Sequence, residues 1–370
     1  MERNRIFASK VVLVAATGCA LWALQEYAWA QEVQEHNSFQ TLFKITLDKY
    51  HNEEFDEALV VAQKIRQLYP EEPAGAFGLL NTYQTIMRNY RVRLFESEFD
   101  SLLNLSIQLA EAAAKRDKKD GKSYFYLGCA YGSRSIYYAQ RGKWFDAFRY
   151  GSQVQRNFNK AIAYEPQFYD SHYGIGLYKY WLGAKAKLLN ALPFTNDNRH
   201  EGIQHMKLAV EKAQYLNVDG MYGLTAAYYN EGQFEKALDV SDKVYQLYPN
   251  NPAMLYRRGR ILQALNRWQE AIAVFGELDA LLKNTLYQSV SYQIECRYQM
   301  AKSHYQLGNY GESQRLCVDA IAKERYCDFS KETDGPLESF SDIQKQLHEL
   351  NDKVKSLVLT QANRTASSHQ

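Results

Sequence analysis

Apolar residues return every third or fourth position along most of this chain, and over residues 218–283 that pattern is written twice. In the first copy Met221, Leu224 and Tyr228, then Leu238, Val244 and Leu247, recur at spacings of three, four and seven with polar residues between them. This is the period of a helix with one buried face. Gly232 separates two such segments, and Pro249-Asn250-Asn251-Pro252 ends the second, because proline cannot donate a hydrogen bond to the preceding turn. The arrangement returns 34 residues on: Tyr222 aligns with Tyr256, Phe234 with Trp268 and Ala237 with Ala271. Gly259, Ala237 and Ala271 stand where two antiparallel helices must approach closely. A period of that length predicts a helical hairpin stacked on copies of itself, not a closed domain around an active-site cleft.

The same signature recurs elsewhere. Tyr124-Phe125-Tyr126-Leu127-Gly128-Cys129-Ala130-Tyr131 is followed by Ala147 and Pro166, and Leu68-Tyr69-Pro70 echoes Leu247-Tyr248-Pro249. An aromatic, Leu-Gly and Tyr on the first helix, then Ala on the second and a closing Pro, resembles the tetratricopeptide repeat. The resemblance implies an all-α fold: a right-handed α-solenoid of about seven repeat units over residues 38–335, with an inner concave wall built by the first helices. In the third unit Gly142 lies 14 residues after Gly128 and Pro166 lies 19 after Ala147, against an ordinary seven and 12. Both helices have gained seven residues, two turns each, so the pair stays in register. The added turns carry Arg134, Tyr137, Tyr138, Arg156 and Lys160. They either pack on the neighbouring repeat or project as a cationic, aromatic partner surface.

Other segments interrupt or close the array. Residues 115–122 read as a charged linker, either a solvated loop or a docking patch for an acidic partner. An insertion over 182–199 carries Leu188, Leu189, Leu192, Pro193 and Phe194, apolar residues that need cover from the body or act as a lid over an apolar ligand. In 336–358, Leu337, Phe340, Ile343, Leu347, Leu350, Val354 and Leu357 form one stripe, that of a helix capping the last repeat or of a short dimerising coil. Residues 359–370 are polar and are expected to be a disordered tail.

The start of the chain has the pattern of an export signal over residues 1–30. Arg3, Arg5 and Lys10 precede an apolar run from Val11 to Leu24, and Ala28-Trp29-Ala30 offers a small-x-small cleavage site. Ala16-Thr17-Gly18-Cys19 also resembles a lipobox, which would make Cys19 a lipidation site, and an uncleaved anchor is the third reading. For a bacterial host all three predict an exported, periplasmic or envelope-associated body, with membrane association through the lipid or anchor.

Composition narrows the functional class. With 44 basic and 42 acidic residues there is no charge footprint for nucleic acid. There is no glycine-rich phosphate loop, no GxSxG elbow and no CxxC pair, so the expectation is a non-catalytic protein without cofactor or metal. His200-Glu201-Gly202-Ile203-Gln204-His205 has the look of a zinc-protease helix, but its histidines are five apart, which rotates them about 140° from each other. Export to an oxidising compartment makes a Cys296–Cys327 disulfide an expectation, since antiparallel helices bring the start of one to the end of the next.

Tyrosine is used 29 times, and one set is periodic. The fifth residue of each repeat is Phe43, Phe77, Phe125, Tyr173, Tyr222, Tyr256 and Tyr298. Such a ladder either wedges helices together or lines a groove for an extended peptide or a glycan, with Tyr229, Arg260, Lys302 and Tyr305 beside it. The function expected is a scaffold or adaptor of the cell envelope that binds a protein segment along this concave groove. The alternative is a lipid- or glycan-contacting carrier with 182–199 as its lid.

Overall fold

The computed structural model describes residues 38–185 and 197–367. The proposed signal at 1–30, Cys19 and the apolar residues 188–194 lie outside the described residues. Among the described residues fourteen helices form seven pairs: α1 (Phe39–His51) with α2 (Phe55–Leu68), α3 (Pro73–Tyr90) with α4 (Glu96–Arg116), and α5 (Gly121–Ala139) with α6 (Trp144–Tyr164). Then come α7 (Ser171–Ala184) with α8 (Arg199–Lys212), α9 (Asn217–Asn230) with α10 (Phe234–Leu247), α11 (Pro252–Ala264) with α12 (Trp268–Asn284), and α13 (Val290–Gln306) with α14 (Tyr310–Ile321). Each helix packs on the next, and first helices also touch the first helices of neighbouring repeats, which makes the array an α-solenoid. Among the described residues no helix is long and apolar enough to cross a membrane.

The turn glycines stand where the spacing puts them. Gly142, Gly232 and Gly308 have φ of 68°, 70° and 76°, the left-handed conformation that lets the chain reverse between the helices of a pair. Glu53 (67°) and Asn266 (59°) adopt the same conformation in repeats one and six. A different close approach occurs between α7 and α8, where a Cβ on Gly176 would lie 2.6 Å from the Gly202 carbonyl oxygen.

The lengthened hairpin does not project. Helices α5 and α6 have 19 and 21 residues, against 14 each in α9 and α10. The second repeat is lengthened as well, with 18 and 21 residues, so the two long hairpins pack side by side. Tyr137 stacks on Phe99 with centroids 4.9 Å apart, Arg134 donates to Asn104 at 2.9 Å, and Arg141 pairs with Glu96. The added turns therefore serve inter-repeat packing.

The solenoid also closes on itself. Helix α11 packs against α3, four repeats earlier. The Tyr248 hydroxyl donates to Asp48 at 3.0 Å, Asn251 donates to Glu53 at 2.8 Å, and the Phe55 and Tyr287 rings meet edge to face at 5.8 Å. The buried Arg91 and Glu295 side chains pair at 2.5 Å. Beyond α14 the chain forms a strap, which makes an isolated antiparallel bridge from Glu332 back to Val92. Arg93 N–H donates to the Lys331 carbonyl at 2.8 Å, and Thr333 N–H to that of Arg91 at 2.9 Å.

One boundary and one expected disulfide differ from what the sequence predicts. The capping helix α15 spans Phe340–Ser367, so 359–367 continue a helix where a disordered tail was expected. That stretch contains neither glycine nor proline, and a helix already nucleated by a packed stripe propagates cheaply into it. The stripe itself caps the array: Phe340, Ile343, Leu347, Leu350 and Val354 are buried with Ile294, Leu316 and Cys317 of the last repeat. Cys296 and Cys327 are both free thiols. Because α13 begins at Val290, Cys296 sits well inside the helix, its Sγ 3.1 Å from the Phe275 carbonyl oxygen, while Cys327 lies beyond the end of α14. The antiparallel ends that meet are therefore not the ends that carry the two thiols.

Candidate functional site

The closure leaves a half-open cavity of about 1000 Å³ on the concave side. Its wall is made chiefly by first helices: Phe77, Gln84 and Arg88 on α3, Ser133 and Ile136 on α5, Tyr173, Leu177 and Trp181 on α7, Asp219, Tyr222 and Tyr229 on α9, and Arg257 on α11. Spacings of three, four and seven put each set on one face of its helix. Strap residues 333–339 complete the wall. A volume of this size is at the upper end of small-ligand cavities and admits a short segment rather than a folded domain.

The aromatic ladder divides in two. Phe77, Tyr173 and Tyr222 line the cavity, and Tyr229 does too. Phe125 is buried and clasped by Phe158 and Phe168, with centroids 5.7 and 4.6 Å away. Tyr256 is 1% exposed; its hydroxyl donates to Glu295 at 2.5 Å and accepts from Arg260 at 2.9 Å. These two rings are packing residues, so an alanine at Tyr256 perturbs the fold and is not a clean probe of binding.

The far end of the expected groove is occupied by the chain itself. Arg260 pairs with Glu338 of the strap at 2.7 Å, and the buried Tyr298 donates to Gln346 of α15 at 2.9 Å. Lys353 of α15 lies 4.8 Å from the Tyr305 ring centroid. Burial and the neighbouring Arg260 draw the Lys302 ammonium below its ordinary value, with Glu338 opposing. Arg260, Tyr298 and Tyr305 are thus engaged by the strap and the cap, whose positions follow from chain closure and not from the repeat pattern.

Charge within the cavity is uneven. Burial pushes the Asp219 carboxyl up, but His51, with Nε2 at 3.5 Å, and Arg88 prevail and hold it below its ordinary range. Arg93 donates to the Glu332 carbonyl at 3.1 Å, and Lys185 lies over the Trp144 and Trp181 rings at 5.0 and 5.7 Å. Arg257 has no ion pair among the described residues; its guanidinium carbon is 5.9 Å from the Tyr229 centroid, and burial draws its pKa down. Arg88 lies 6.0 Å from the Tyr222 centroid and donates to Asn89 at 3.2 Å. The Tyr222 hydroxyl is buried without a hydrogen-bond partner.

Arg88 and Arg257 were not singled out by the sequence reading. Arg257 is the neighbour of the ladder residue Tyr256, one position round the helix, and only the helix orientation turns one inward and the other into the core. Outside the cavity, the histidine that suggested a zinc helix has another partner. His205 Nδ1 lies 2.7 Å from His172 Nδ1 on α7, while Glu201 pairs with Lys179. Among the described residues no group of three or more potential metal ligands comes together.

A concave wall of first helices in a solenoid of paired helices defines the class. With the repeat signature, it makes the fold similar to that of the tetratricopeptide-repeat proteins. The family model of the anaphase-promoting complex, cyclosome, subunit 3 matches residues 211–278, from the end of α8 into α12. No curated protein matches the chain. Among solved structures, the APC/C hetero-tetramer Cut9-Hcn1 is similar at 15% identity and a TM-score of 0.46, over 73% of this chain and 43% of that one. TTC0263, a thermophilic TPR protein in Thermus thermophilus, is similar at 18% identity and a TM-score of 0.39, over 62% of this chain and 99% of that one. YrrB, a TPR protein with an unusual peptide-binding site, shares 15% identity at a TM-score of 0.40, over 58% of this chain and 92% of that one.

Proposed function

We propose that this chain is a non-catalytic scaffold of the cell envelope that receives a short protein segment in its concave cavity. The observation that carries the reading is the cavity wall itself: a space of about 1000 Å³ lined by Phe77, Tyr173, Tyr222 and Tyr229 and by polar side chains from five successive first helices. Aromatic rings give area at small entropic cost, and the polar groups between them give an extended segment its hydrogen-bond partners. Placement in the envelope rests on residues 1–30, and recovery of the native protein from the cytoplasmic fraction would remove that part of the proposal.

Site-specific photocrosslinking tests the cavity. A benzophenone side chain at Leu177 or Ala226, both on the cavity wall, is expected to capture a protein segment in cells, while one at Val318, exposed on the second helix of the last repeat, is not. Capture from Val318 alone would move the binding surface away from the cavity and end the proposal.

A further inference from the structure

One stretch of the cavity wall is a cluster of rings with a cation set among them. Trp144 and Phe148 stand four residues apart on one face of α6, and Tyr178 and Trp181 three apart on one face of α7. The two helices pack on each other, so the start of one meets the end of the next. Ring centroids are 6.3 Å apart from Trp144 to Trp181, 6.1 Å from Trp144 to Phe148 and 6.4 Å from Phe148 to Tyr178. All four side chains line the cavity, and none is fully buried. The ammonium of Lys185, one residue beyond α7, lies 5.0 Å from the Trp144 centroid and 5.7 Å from that of Trp181. Those lengths put the nitrogen in the angle between the two indoles and not on the line that joins them. Among the described residues no carboxylate lies within ion-pair distance of it. The negative faces of the rings are what attract this charge.

We propose that these rings form a binding site for the quaternary ammonium group of a small, soluble trimethylammonium compound, and that Lys185 stands in for that group. A primary ammonium is a compact, strongly hydrated charge, which gives up its water reluctantly. A trimethylammonium group has no N–H to leave unpaired, and its methyl groups present the charge on an apolar surface that indole faces cover well. Lys185 is partly exposed and sits on a flexible stem, so its ammonium returns to water as the ligand enters. One cation replaces another, and the charge of the cavity wall is unchanged. A choline headgroup still anchored in a bilayer is disfavoured, because the rings face a concave space between helices and strap and not a flat surface. The site requires no protein segment and stands apart from the scaffold reading.

The probe is choline chloride, titrated by isothermal calorimetry into the full-length chain beside two controls. One is its uncharged isostere, with a tert-butyl group in place of trimethylammonium, and the other is ethanolamine, its primary-amine counterpart. Choline is expected to bind saturably and at least about tenfold more tightly than either control. Equal affinity for the uncharged isostere would make the cluster an ordinary apolar patch and overturn the inference. Trp144→Leu and Trp181→Leu keep apolar bulk and are each expected to weaken choline binding about tenfold with the circular dichroism spectrum unchanged. Undiminished binding by both variants would also overturn it. Lys185→Gln is expected to bind choline about threefold or more tightly than wild type, because the competing ammonium is gone. Binding lost in that variant would make Lys185 part of the site and not its occupant, and no binding by wild type or Lys185→Gln would leave the rings as packing residues; either result overturns the inference. Flotation with phosphatidylcholine vesicles, without binding of free choline, would assign the rings to a membrane surface and overturn it too. None of these outcomes bears on the Leu177 crosslink, which tests the scaffold reading separately.

Discussion

The seam that closes the solenoid should be sensitive to pH through one carboxyl group. Glu53 sits in a left-handed turn at the end of the first hairpin, with Oε1 accepting from Asn89 at 2.7 Å and from Asn251 at 2.8 Å, while Oε2 is buried without a partner. It thus joins repeats one, two and six. Burial drives its pKa from an ordinary 4.5 to about 8, against the opposing hydrogen bonds from Asn89 and Tyr90 and the charge of Arg88. The folded protein then holds a proton that the unfolded chain releases. The stability owed to this proton is complete below about pH 4.5, declines between 4.5 and 8, and is gone above it. The decline is about 1.4 kcal/mol per pH unit, or roughly 3 kcal/mol between pH 5.5 and 7.5. Glu53→Gln keeps the oxygen that accepts both asparagine amides and removes the titration. Urea unfolding of both proteins at pH 5.5, 6.5 and 7.5, followed by circular dichroism, measures the difference. The glutamine variant should gain on wild type by roughly 3 kcal/mol across the series, and comparing the two cancels every other titrating group. Parallel stability curves would show that Glu53 is ionised in the folded protein, and the account of the seam would fail.

The same seam holds the buried Arg91–Glu295 pair, with the Arg91 guanidinium also 3.6 Å from the Tyr292 ring. Arg91→Met takes from the buried carboxylate its nearest counter-charge, leaving it the Tyr256 hydroxyl and the more distant Arg260, and should cost about 3 kcal/mol in thermal unfolding, with Arg91→Met/Glu295→Leu recovering much of it; an unchanged midpoint in the single variant would refute this. Gly176→Ala places a methyl group against the Gly202 backbone oxygen, which cannot give way as a flexible side chain would, and should cost about 1–3 kcal/mol. A neutral melting temperature for it would mean that α7 and α8 are not in backbone contact. Burial, then His205, lowers the His172 pKa to about 4, so its contribution is present above the ordinary histidine value of 6.5 and is lost as the pH falls toward 4. Proton-detected NMR titration should find His172 neutral at pH 5.5, and a midpoint above 6 would contradict the half-buried histidine pair.

The repeat is the part of this protein that local sequence carries. Its helices need only a 3.6-residue apolar period, a left-handed turn residue and a small residue at the crossing. Met221 to Leu247 and their copies 34 residues on show all three. The hairpins, their order, the turn glycines and the capping stripe could be read without coordinates. What the pattern did not contain was curvature. Small rotations between successive hairpins accumulate over seven repeats, and their sum decides whether the first repeat stays in solvent or meets the sixth. Closure buries Tyr256, sets Glu338 on Arg260 and turns a long expected groove into a cavity. It also decides where Arg88 and Arg257 stand: an arginine on a helix is ordinary in sequence, and only the tertiary geometry shows that these two line the cavity wall.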